Sequence, residues 1–284
     1  MAAKEIRVLL GLKGKPCPRK KDRSEKEDRG NFLYISLYFR REIHRKIEII
    51  VKSKFHCIRI DKSLFTAARN CLDVLKVGGK SNGLYTVKPS ADGDAFKVYC
   101  DQATDGGGWT VFQKRQDGSV DFYLGWADYK RGFGDMTGEF WLGLDKIHLL
   151  TNQTNTTVRI DLMDWTGATG YAVYDHFAVS AENRNYELTL GSYSGTAGDS
   201  FSHHVGMAFT TKDQDHDKKA DDNCAVLMTS AWWYNSCRHS DLNGNYRQGE
   251  DPLDYNGIIW YTWKGHRYSM KRSEMKIRSA DYVP

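Results

Sequence analysis

The segment of residues 213–224 places several acidic side chains directly ahead of a cysteine, and it restricts the fold more than any other part of the chain. Ca²⁺ takes six to eight oxygen ligands from carboxylates, backbone carbonyls and water, and acids at alternate positions of a curled loop can point towards it together. Acid runs also occur as solvated loops, so both interpretations stand at this point. The acids are Asp213, Asp215, Asp217, Asp221 and Asp222, and the lysines that partly offset them are Lys212, Lys218 and Lys219.

The spacing within this segment excludes an EF-hand. Counting from Asp213, the sixth position is Lys218, where the motif requires Gly. The twelfth position is Cys224, where the motif requires Glu. A calcium loop in this segment must therefore be of another type.

Cys224 is followed by a second cysteine, Cys237, at a sequence distance that is not typical of zinc ligands. No further Cys or His pair stands at zinc-finger distance in the sequence. A disulfide closing a loop of this size stabilises a fold by about 3 kcal/mol in the chain-entropy model. Such a bridge would brace the acid-rich segment against the residues that follow Trp232, Trp233 and Tyr234.

Five segments of the chain, taken in order, point to one family. They are NCLDVLKVGGKSNGLYTVKPS (70–90), YCDQATDGGGWTVFQKRQDGSVDF (99–122), GFGDMTGEFWLGLDKIHLLT (132–151), NCAVLMTSAWWYNSC with LNGNY (223–246), and NGIIWYTWKGHRYSMKRSEMKIR (256–278). From Cys71 to the C-terminus the chain resembles the fibrinogen-related domain of ficolins, tachylectins, tenascins, angiopoietins and the fibrinogen chains. The resemblance implies an α+β fold, a fibrinogen C-terminal-like domain. We expect a central antiparallel sheet, short helices and a loop-rich C-terminal subregion that binds calcium and ligand.

The resemblance also implies a disulfide pattern. It pairs Cys71 with Cys100, and Cys224 with Cys237, which indicates an oxidising compartment. Cys17 has no counterpart in the family, and neither does Cys57, so the sequence leaves the state of both thiols open.

For calcium, the resemblance implies two side-chain ligands and two backbone-carbonyl ligands. The side-chain ligands fall on Asp215 and Asp217, and the carbonyl ligands fall near Lys219 and Asp221. A carbonyl ligand needs no particular side chain, so a lysine at position 219 is compatible with the site. Asp213 and Asp222 are expected to lie outside the metal shell.

The family's lectins bind acetyl groups in a pocket beside the second cysteine, where a non-proline cis peptide exposes backbone N–H groups. The corresponding residues here are Met228, Ser236, Cys237, Arg238, Tyr255 and His266. Several depart from the lectin pattern, since Met228 replaces an aromatic residue and Arg238 replaces a histidine. Two interpretations of Arg238 stay open: a partner for an anionic group such as a carboxylate or sulfate, and an ordinary surface arginine.

The first 70 residues differ in charge from the rest of the chain. They contain 19 Lys/Arg and 8 Asp/Glu residues, whereas the rest of the chain contains 22 Lys/Arg and 28 Asp/Glu residues. Neither heptads nor Gly-X-Y repeats occur there, and the apolar stretches are too short or too charged for a signal peptide or a membrane span. We interpret residues 1–65 as an atypical or mispredicted N-terminal segment, which in part has the composition of a disordered tail, and residues 66–284 as the domain.

Turn residues and apolar periodicity predict short elements throughout the domain. The predicted helices are 64–77 and 140–149, and the predicted strands are 83–87, 96–100, 109–115, 157–164, 171–179 and 186–190. Trp232, Trp233, Trp260 and Trp263 are expected to lie mostly in the core. Overlapping sequons at Asn152 and Asn155 predict N-glycosylation in a polar loop.

These observations favour a secreted, calcium-dependent recognition protein that binds acetylated or anionic glycans. The alternative is an extracellular module that binds a receptor or matrix protein, as tenascins and angiopoietins do. Homo-oligomers are compatible with both functions, and neither requires nucleic acid or a membrane span. The sequence lacks the motifs of serine hydrolases, zinc proteases and dinucleotide-binding enzymes, so we do not expect an enzyme.

Overall fold

The chain divides into two units, Met1–Ala67 and Ala68–Pro284. The computed structural model describes residues 50–52, 57–59, 67–253 and 255–283. In the first unit, strands β1 (Ile50–Lys52) and β2 (Cys57–Arg59) form an antiparallel pair. The interpretation of residues 1–65, including the state of Cys17, falls mainly outside the described residues and stays a prediction.

The described part of the second unit consists of short elements joined by many loops. Its helices are α1 (Cys71–Lys76), α2 (Trp126–Arg131), α3 (Leu144–Thr151), α4 (Cys224–Leu227) and α5 (Tyr261–Lys264). Its first strands are β3 (Gly83–Val87), β4 (Phe96–Asp101), β5 (Trp109–Arg115), β6 (Phe133–Gly134), β7 (Phe140–Trp141), β8 (Thr156–Met163) and β9 (Thr169–Tyr174). The remaining strands are β10 (Phe177–Val179), β11 (Leu188–Leu190), β12 (Tyr193–Gly195), β13 (Ser240–Asp241), β14 (Gly249–Glu250), β15 (Ile259–Trp260), β16 (Tyr268–Ser269) and β17 (Arg272–Ser279).

One large antiparallel sheet organises this unit. Its main path runs β12-β9-β8-β17-β5-β4-β3, and β7 pairs with both β5 and β6. Strand β17, close to the C-terminus, lies between β8 and β5, so the last segment of the chain completes the centre of the sheet. Three further strand pairs, β10-β11, β13-β15 and β14-β16, lie outside it. The predicted α+β class with a central antiparallel sheet is confirmed.

The sheet has one apolar face and one polar face because side chains alternate along each strand. In β8, Val158, Ile160 and Leu162 are buried, whereas the intervening Arg159 and Asp161 are half-buried. The apolar face packs on a core rich in aromatic rings. The polar face remains open to solvent.

The tryptophans predicted to lie in the core are largely buried. Trp232, Trp233 and Trp260 are fully buried, and Trp263 is half-buried. The ring of Trp233 contacts those of Trp141 at 6.1 Å and Phe209 at 5.1 Å between centroids. The Trp232-Trp233 pair thus fixes the start of the C-terminal loops against the core.

The predicted helix over residues 140–149 is wrong in its first half. Phe140 and Trp141 form strand β7 instead, and α3 begins only at Leu144. Gly143 separates the two elements with a φ of +111°, and a Cβ there would lie 2.6 Å from the carbonyl oxygen of Arg131. The turn therefore requires glycine, and it ends the strand before the helix starts.

The predicted helix over residues 64–77 is too long at its beginning. Helix α1 starts at Cys71 because the side chain of Asn70 accepts the N–H of Asp73 at 3.1 Å and acts as the N-cap. Residues 67–70 are not helical, and residues 64–66 lie outside the described part of the chain. The strands predicted near residues 83, 96, 109 and 157 are confirmed as β3, β4, β5 and β8.

Candidate calcium and ligand-binding site

Asp217 lies at the centre of the acid-rich loop. Its carboxylate accepts the backbone N–H of Lys219 at 2.8 Å on Oδ1 and that of Cys224 at 2.7 Å on Oδ2. Asp215 accepts the N–H of Asp217 at 3.2 Å. The two carboxylates predicted as side-chain calcium ligands therefore belong to one local turn.

The chemistry of this turn fits a hard cation. Burial and the neighbouring Asp215 carboxylate raise the pKa of Asp217, because both disfavour its negative charge. The backbone carbonyls of Lys219 and Asp221 accept no hydrogen bond from any described residue. Two carboxylates and two available carbonyls are the donor types that Ca²⁺ prefers.

Side chains alone do not complete a metal shell in this loop. Within the described residues, no group of three or more His, Cys, Asp or Glu side chains is arranged to hold a metal ion. A calcium shell here would depend on backbone carbonyls and water in addition to Asp215 and Asp217.

Two other acids of the loop have structural partners. Asp213 accepts the N–H of Trp126, the first residue of α2, at 2.9 Å, and the hydroxyl of Thr211 at 2.7 Å. Asp222 lies 3.3 Å from the ammonium of Lys219. These contacts support the expectation that neither acid is a metal ligand, which stays a prediction.

A disulfide and a backbone hydrogen bond connect the acid loop to the turn at residues 235–238. Asn223 caps α4 by accepting the N–H of Ala225 at 2.7 Å, and Cys224, the next residue, is bonded to Cys237. The N–H of Lys218 donates to the carbonyl of Asn235 at 2.9 Å. The structure also contains the other implied disulfide, Cys71–Cys100.

A pocket of about 400 Å³ opens between the acid loop and this turn. The six residues predicted to bind ligand lie on four separate stretches of sequence, and the fold brings all of them to this one pocket. The lining residues are Lys219, Leu227, Met228, Ser236, Cys237, Arg238, Tyr255 and His266. Their ligand-binding role stays a prediction, but their convergence is a property of the structure.

Two residues that line the pocket have backbone N–H groups without an acceptor among the described residues. The Ser236–Cys237 peptide bond is cis. Among the described residues, no acceptor faces the backbone N–H of Cys237 or of Arg238. A ligand with a carbonyl oxygen would find two donors there.

Arg238 is not a surface arginine, and this interpretation of the sequence is wrong. Its side chain is 4% exposed, and Nη1 donates to Oδ2 of Asp241 at 3.0 Å. Nη2 donates to the carbonyl oxygen of Tyr255. The guanidinium is thus held in place between a buried carboxylate and the segment that forms the pocket's rim.

Asp241 holds Arg238 and was not identified from the sequence. It is fully buried and accepts the hydroxyls of Tyr234 at 2.6 Å and Ser230 at 2.8 Å. Burial raises the pKa of Asp241, and the Arg238 guanidinium opposes that effect. The three-residue spacing of Arg238 and Asp241 was the only sequence indication of this pair.

Aromatic rings pack around His266, which lines the pocket. The rings of His266 and Tyr261 stack at 4.0 Å between centroids, and those of His239 and His203 stack at 3.8 Å. His239 lies 6.0 Å from His266. No sequence pattern indicated these contacts, because they join separate stretches of the chain, at His203, His239 and residues 261–266.

The predicted glycosylation residues are both accessible. Asn152 and Asn155 are exposed, and Oδ1 of Asn155 lies 2.6 Å from Nδ1 of His176. Whether either asparagine carries a glycan stays a prediction.

Residues 67–280 match the family described as fibrinogen beta and gamma chains, C-terminal globular domain. The chain belongs to this family. Fibrinogen C-terminal domains are binding modules, and no catalytic family is indicated for this chain.

Both sequence and structure place the chain among these domains. It is 50% identical over 215 residues to fibrinogen C domain-containing protein 1 of Xenopus tropicalis, covering 74% of this chain and 47% of the relative. The solved fibrinogen-like globe domain of human ANGPTL2 is 45% identical, with a TM-score of 0.73, over 75% of this chain and 99% of that domain. A lamprey fibrin D-dimer complexed with the peptide Gly-His-Arg-Pro-amide is 39% identical, with a TM-score of 0.72, over 76% of this chain and 75% of that one.

These comparisons concern the domain rather than a whole protein. The chain spans about half the length of the curated relatives it matches. Among the residues that the structure describes, none of the helices has the length and apolar character needed to cross a membrane.

Proposed function

We propose that this fibrinogen C-terminal domain protein is a secreted, calcium-dependent, lectin-like recognition protein that binds acetylated or anionic glycans. One observation carries the proposal: the turn around the disulfide-bonded Cys237 and Lys219 of the acid loop line the same pocket. Two disulfides support an oxidising, extracellular location.

The pocket has separate places for the acetyl group and for the anionic group of such a ligand. An acetyl oxygen would accept the N–H groups of Cys237 and Arg238, and the methyl group would contact the apolar side chains of Leu227 and Met228. Arg238 and Lys219, which are paired with Asp241 and Asp222, would donate charge-assisted hydrogen bonds to a carboxylate or sulfate on the same sugar. None of the residues that line the pocket directly is an acid.

Calcium would act on the pocket through the loop that forms its wall. Asp215 and Asp217, with the carbonyls of Lys219 and Asp221, would hold the ion, which would offset the repulsion between the two carboxylates. Lys219 both follows these acids and lines the pocket. Ion binding and the shape of the pocket are therefore expected to depend on each other.

A glycan array probed with and without EDTA tests the proposal. The full chain should be presented as a multimer, because single low-affinity pockets need multivalency to register. We expect binding to acetylated or anionic glycans that EDTA abolishes. Failure of a folded, calcium-loaded multimer to bind any glycan would contradict the proposal.

A protein-binding module is the second candidate, and the apolar rim of the pocket favours it. Leu227 and Tyr255, which line the pocket, are 42% and 44% exposed. Apolar side chains grouped at a binding site are typical of protein interfaces. Binding to cells that survives removal of surface glycans, but is lost after protease treatment, would favour this function over the first.

A further inference from the structure

The polar face of the large sheet carries a second cavity, distinct from the pocket described above. This cavity, the outer groove, has a volume of about 600 Å³ and shares no lining residue with the calcium-linked pocket. It runs across strands β4, β5, β17, β8 and β9. The residues used below are Tyr99, Lys114, Arg159, Tyr171, Arg272 and Lys276, with the acids Asp101, Asp161 and Glu274.

The acids of the outer groove are already engaged by one buried cation. The ammonium of Lys276, 3% exposed, lies 2.6 Å from Asp101, 2.8 Å from Asp161 and 2.8 Å from Glu274. Arg159 also pairs with Asp161 at 2.8 Å. Lys276 and Arg159 together offset two of the three carboxylate charges.

Lys114 and Arg272 line the groove and have no carboxylate partner among the described residues. Lys271, which also has none there, is not a lining residue, but it precedes Arg272 and its backbone N–H donates to the carbonyl of the lining residue Met163 at 2.9 Å, which places its backbone at the margin of the groove. They give the groove an excess of positive charge.

Aromatic rings hold several of these cations in position. Lys114 lies 5.5 Å from the ring centroid of Tyr99, Arg159 lies 4.4 Å from that of Tyr171, and Lys271 lies 5.7 Å from that of Trp165. Cation–π contacts of this kind restrict long, flexible side chains. The charges are therefore presented at defined places along the groove.

We propose that the outer groove binds a linear anionic polysaccharide, at a site separate from the calcium-linked pocket. Sulfate or carboxylate groups would accept charge-assisted hydrogen bonds from Lys114, Lys271 and Arg272. The half-exposed carboxylates Asp161 and Glu274 would accept sugar hydroxyls. A ligand with both anionic and hydroxyl groups matches this mixture of donors and acceptors better than a nucleic acid, whose backbone offers phosphates at every step.

The test is lysine footprinting of the full chain with heparin as the probe, in EDTA so that the calcium-linked pocket does not contribute. Acetylation rates of individual lysines, read by mass spectrometry, separate the groove from the basic residues near the N-terminus. Heparin is expected to slow the labelling of Lys114 and Lys271 several-fold. Lys76 and Lys212 should label at unchanged rates. Lys212 is a matched control, because it also lies over a tyrosine ring, 4.5 Å from the centroid of Tyr123.

Variants and a second polymer complete the test. Arg272→Glu should abolish the protection of Lys114 and Lys271, whereas Arg131→Glu, at an exposed site outside the groove, should leave it unchanged. Unprotected Lys114 and Lys271 in the wild type, or equal protection of Lys76 and Lys212, would overturn the proposal. Equal protection by a single-stranded polynucleotide of matched charge would also overturn it, since binding would then not select a saccharide.

Discussion

The carboxylate of Asp217 accepts the backbone N–H of Cys224 at 2.7 Å, which connects a predicted calcium ligand directly to the disulfide-bearing helix α4. Asp215 is exposed and accepts only one longer hydrogen bond, from the N–H of Asp217 at 3.2 Å. The two acids thus differ in their structural role before any ion binds. Substituting them separately distinguishes ion binding from loop architecture.

Asp215→Ala should lower the thermal stability of the chain only when calcium is present. An ion at one hundred times its Kd stabilises the folded state by about 2.7 kcal/mol, and the variant should lose most of that gain. Asp217→Ala should lower stability both with calcium and in EDTA, because it also removes the acceptor for two backbone N–H groups. Calorimetric melting in millimolar calcium and in EDTA measures both effects.

Asp222→Ala is the matched control, because it removes an exposed acid of the same loop whose partner is Lys219. It should change stability by less than about 0.5 kcal/mol under either condition. An equal loss for Asp215→Ala in EDTA and in calcium would refute its assignment as a ligand.

His204 should make the domain less stable as the pH falls below neutrality. It is fully buried, with Nδ1 2.6 Å from the carbonyl of Trp233 and Nε2 accepting the N–H of Ser240 at 3.1 Å. Burial lowers its pKa to about 3. Since the unfolded chain takes up a proton near pH 6.5 and the folded chain does not, folding stability falls between pH 6.5 and 3. At pH 5 the free energy of unfolding is about 2 kcal/mol lower than at neutral pH for this reason.

Denaturant unfolding at pH 7.5 and pH 5, in EDTA, measures this dependence. His204→Gln keeps a donor and an acceptor but does not titrate, so its stability should fall less between the two pH values. If the wild type and the variant lose the same free energy on acidification, His204 is not the group responsible.

Lys276→Met should destabilise the domain by about 3–5 kcal/mol, because it leaves the buried carboxylate of Asp101 without its cation. Burial lowers the pKa of Lys276, but Glu274, Asp161 and Asp101 together raise it above its ordinary value. The exposed Lys97→Met serves as the control and should cost less than about 0.5 kcal/mol. Urea unfolding gives both values, and a cost below about 1 kcal/mol for Lys276→Met would show that the charge cluster is not stabilising.

Local sequence patterns correctly predicted those helices and strands that depend mainly on the residues within them. The strand over residues 156–163 follows from the alternation of Val158, Ile160 and Leu162. The family resemblance predicted the fold and brought attention to six residues that do line one pocket. The wrong half-helix at Phe140 arose because Trp141 pairs with Gln113 on a distant strand, and apolar periodicity does not contain that information.

Features that depend on several strands or loops could not be predicted from the sequence. Lys276 meets acids from β4, β8 and β17 only once the sheet is assembled, and a bulge between Met275 and Lys276 alters the pairing with β5. The burial of Arg238 depends on Asp241, whose carboxylate is fixed by the hydroxyls of Tyr234 and Ser230. Resemblance identified position 238 as part of a pocket but gave no indication of how its charge is balanced.

The pairing of Arg238 with Asp241 allows a test of ligand selectivity. Arg238→Met alone should destabilise the domain by about 3–5 kcal/mol, because it leaves Asp241 as an unpaired buried charge. The double variant Arg238→Met with Asp241→Asn removes both charges. The hydroxyls of Ser230 and Tyr234 bind different oxygens of Asp241, so the amide would accept one of them through its oxygen and donate to the other through its NH2 group. The double variant should therefore fold with less loss, bind neutral acetylated sugars like the wild type and bind anionic glycans at least about tenfold more weakly. Competition measurements with neutral and sialylated acetyl sugars check this, and unchanged affinity for both classes would exclude Arg238 as the anion-selecting residue.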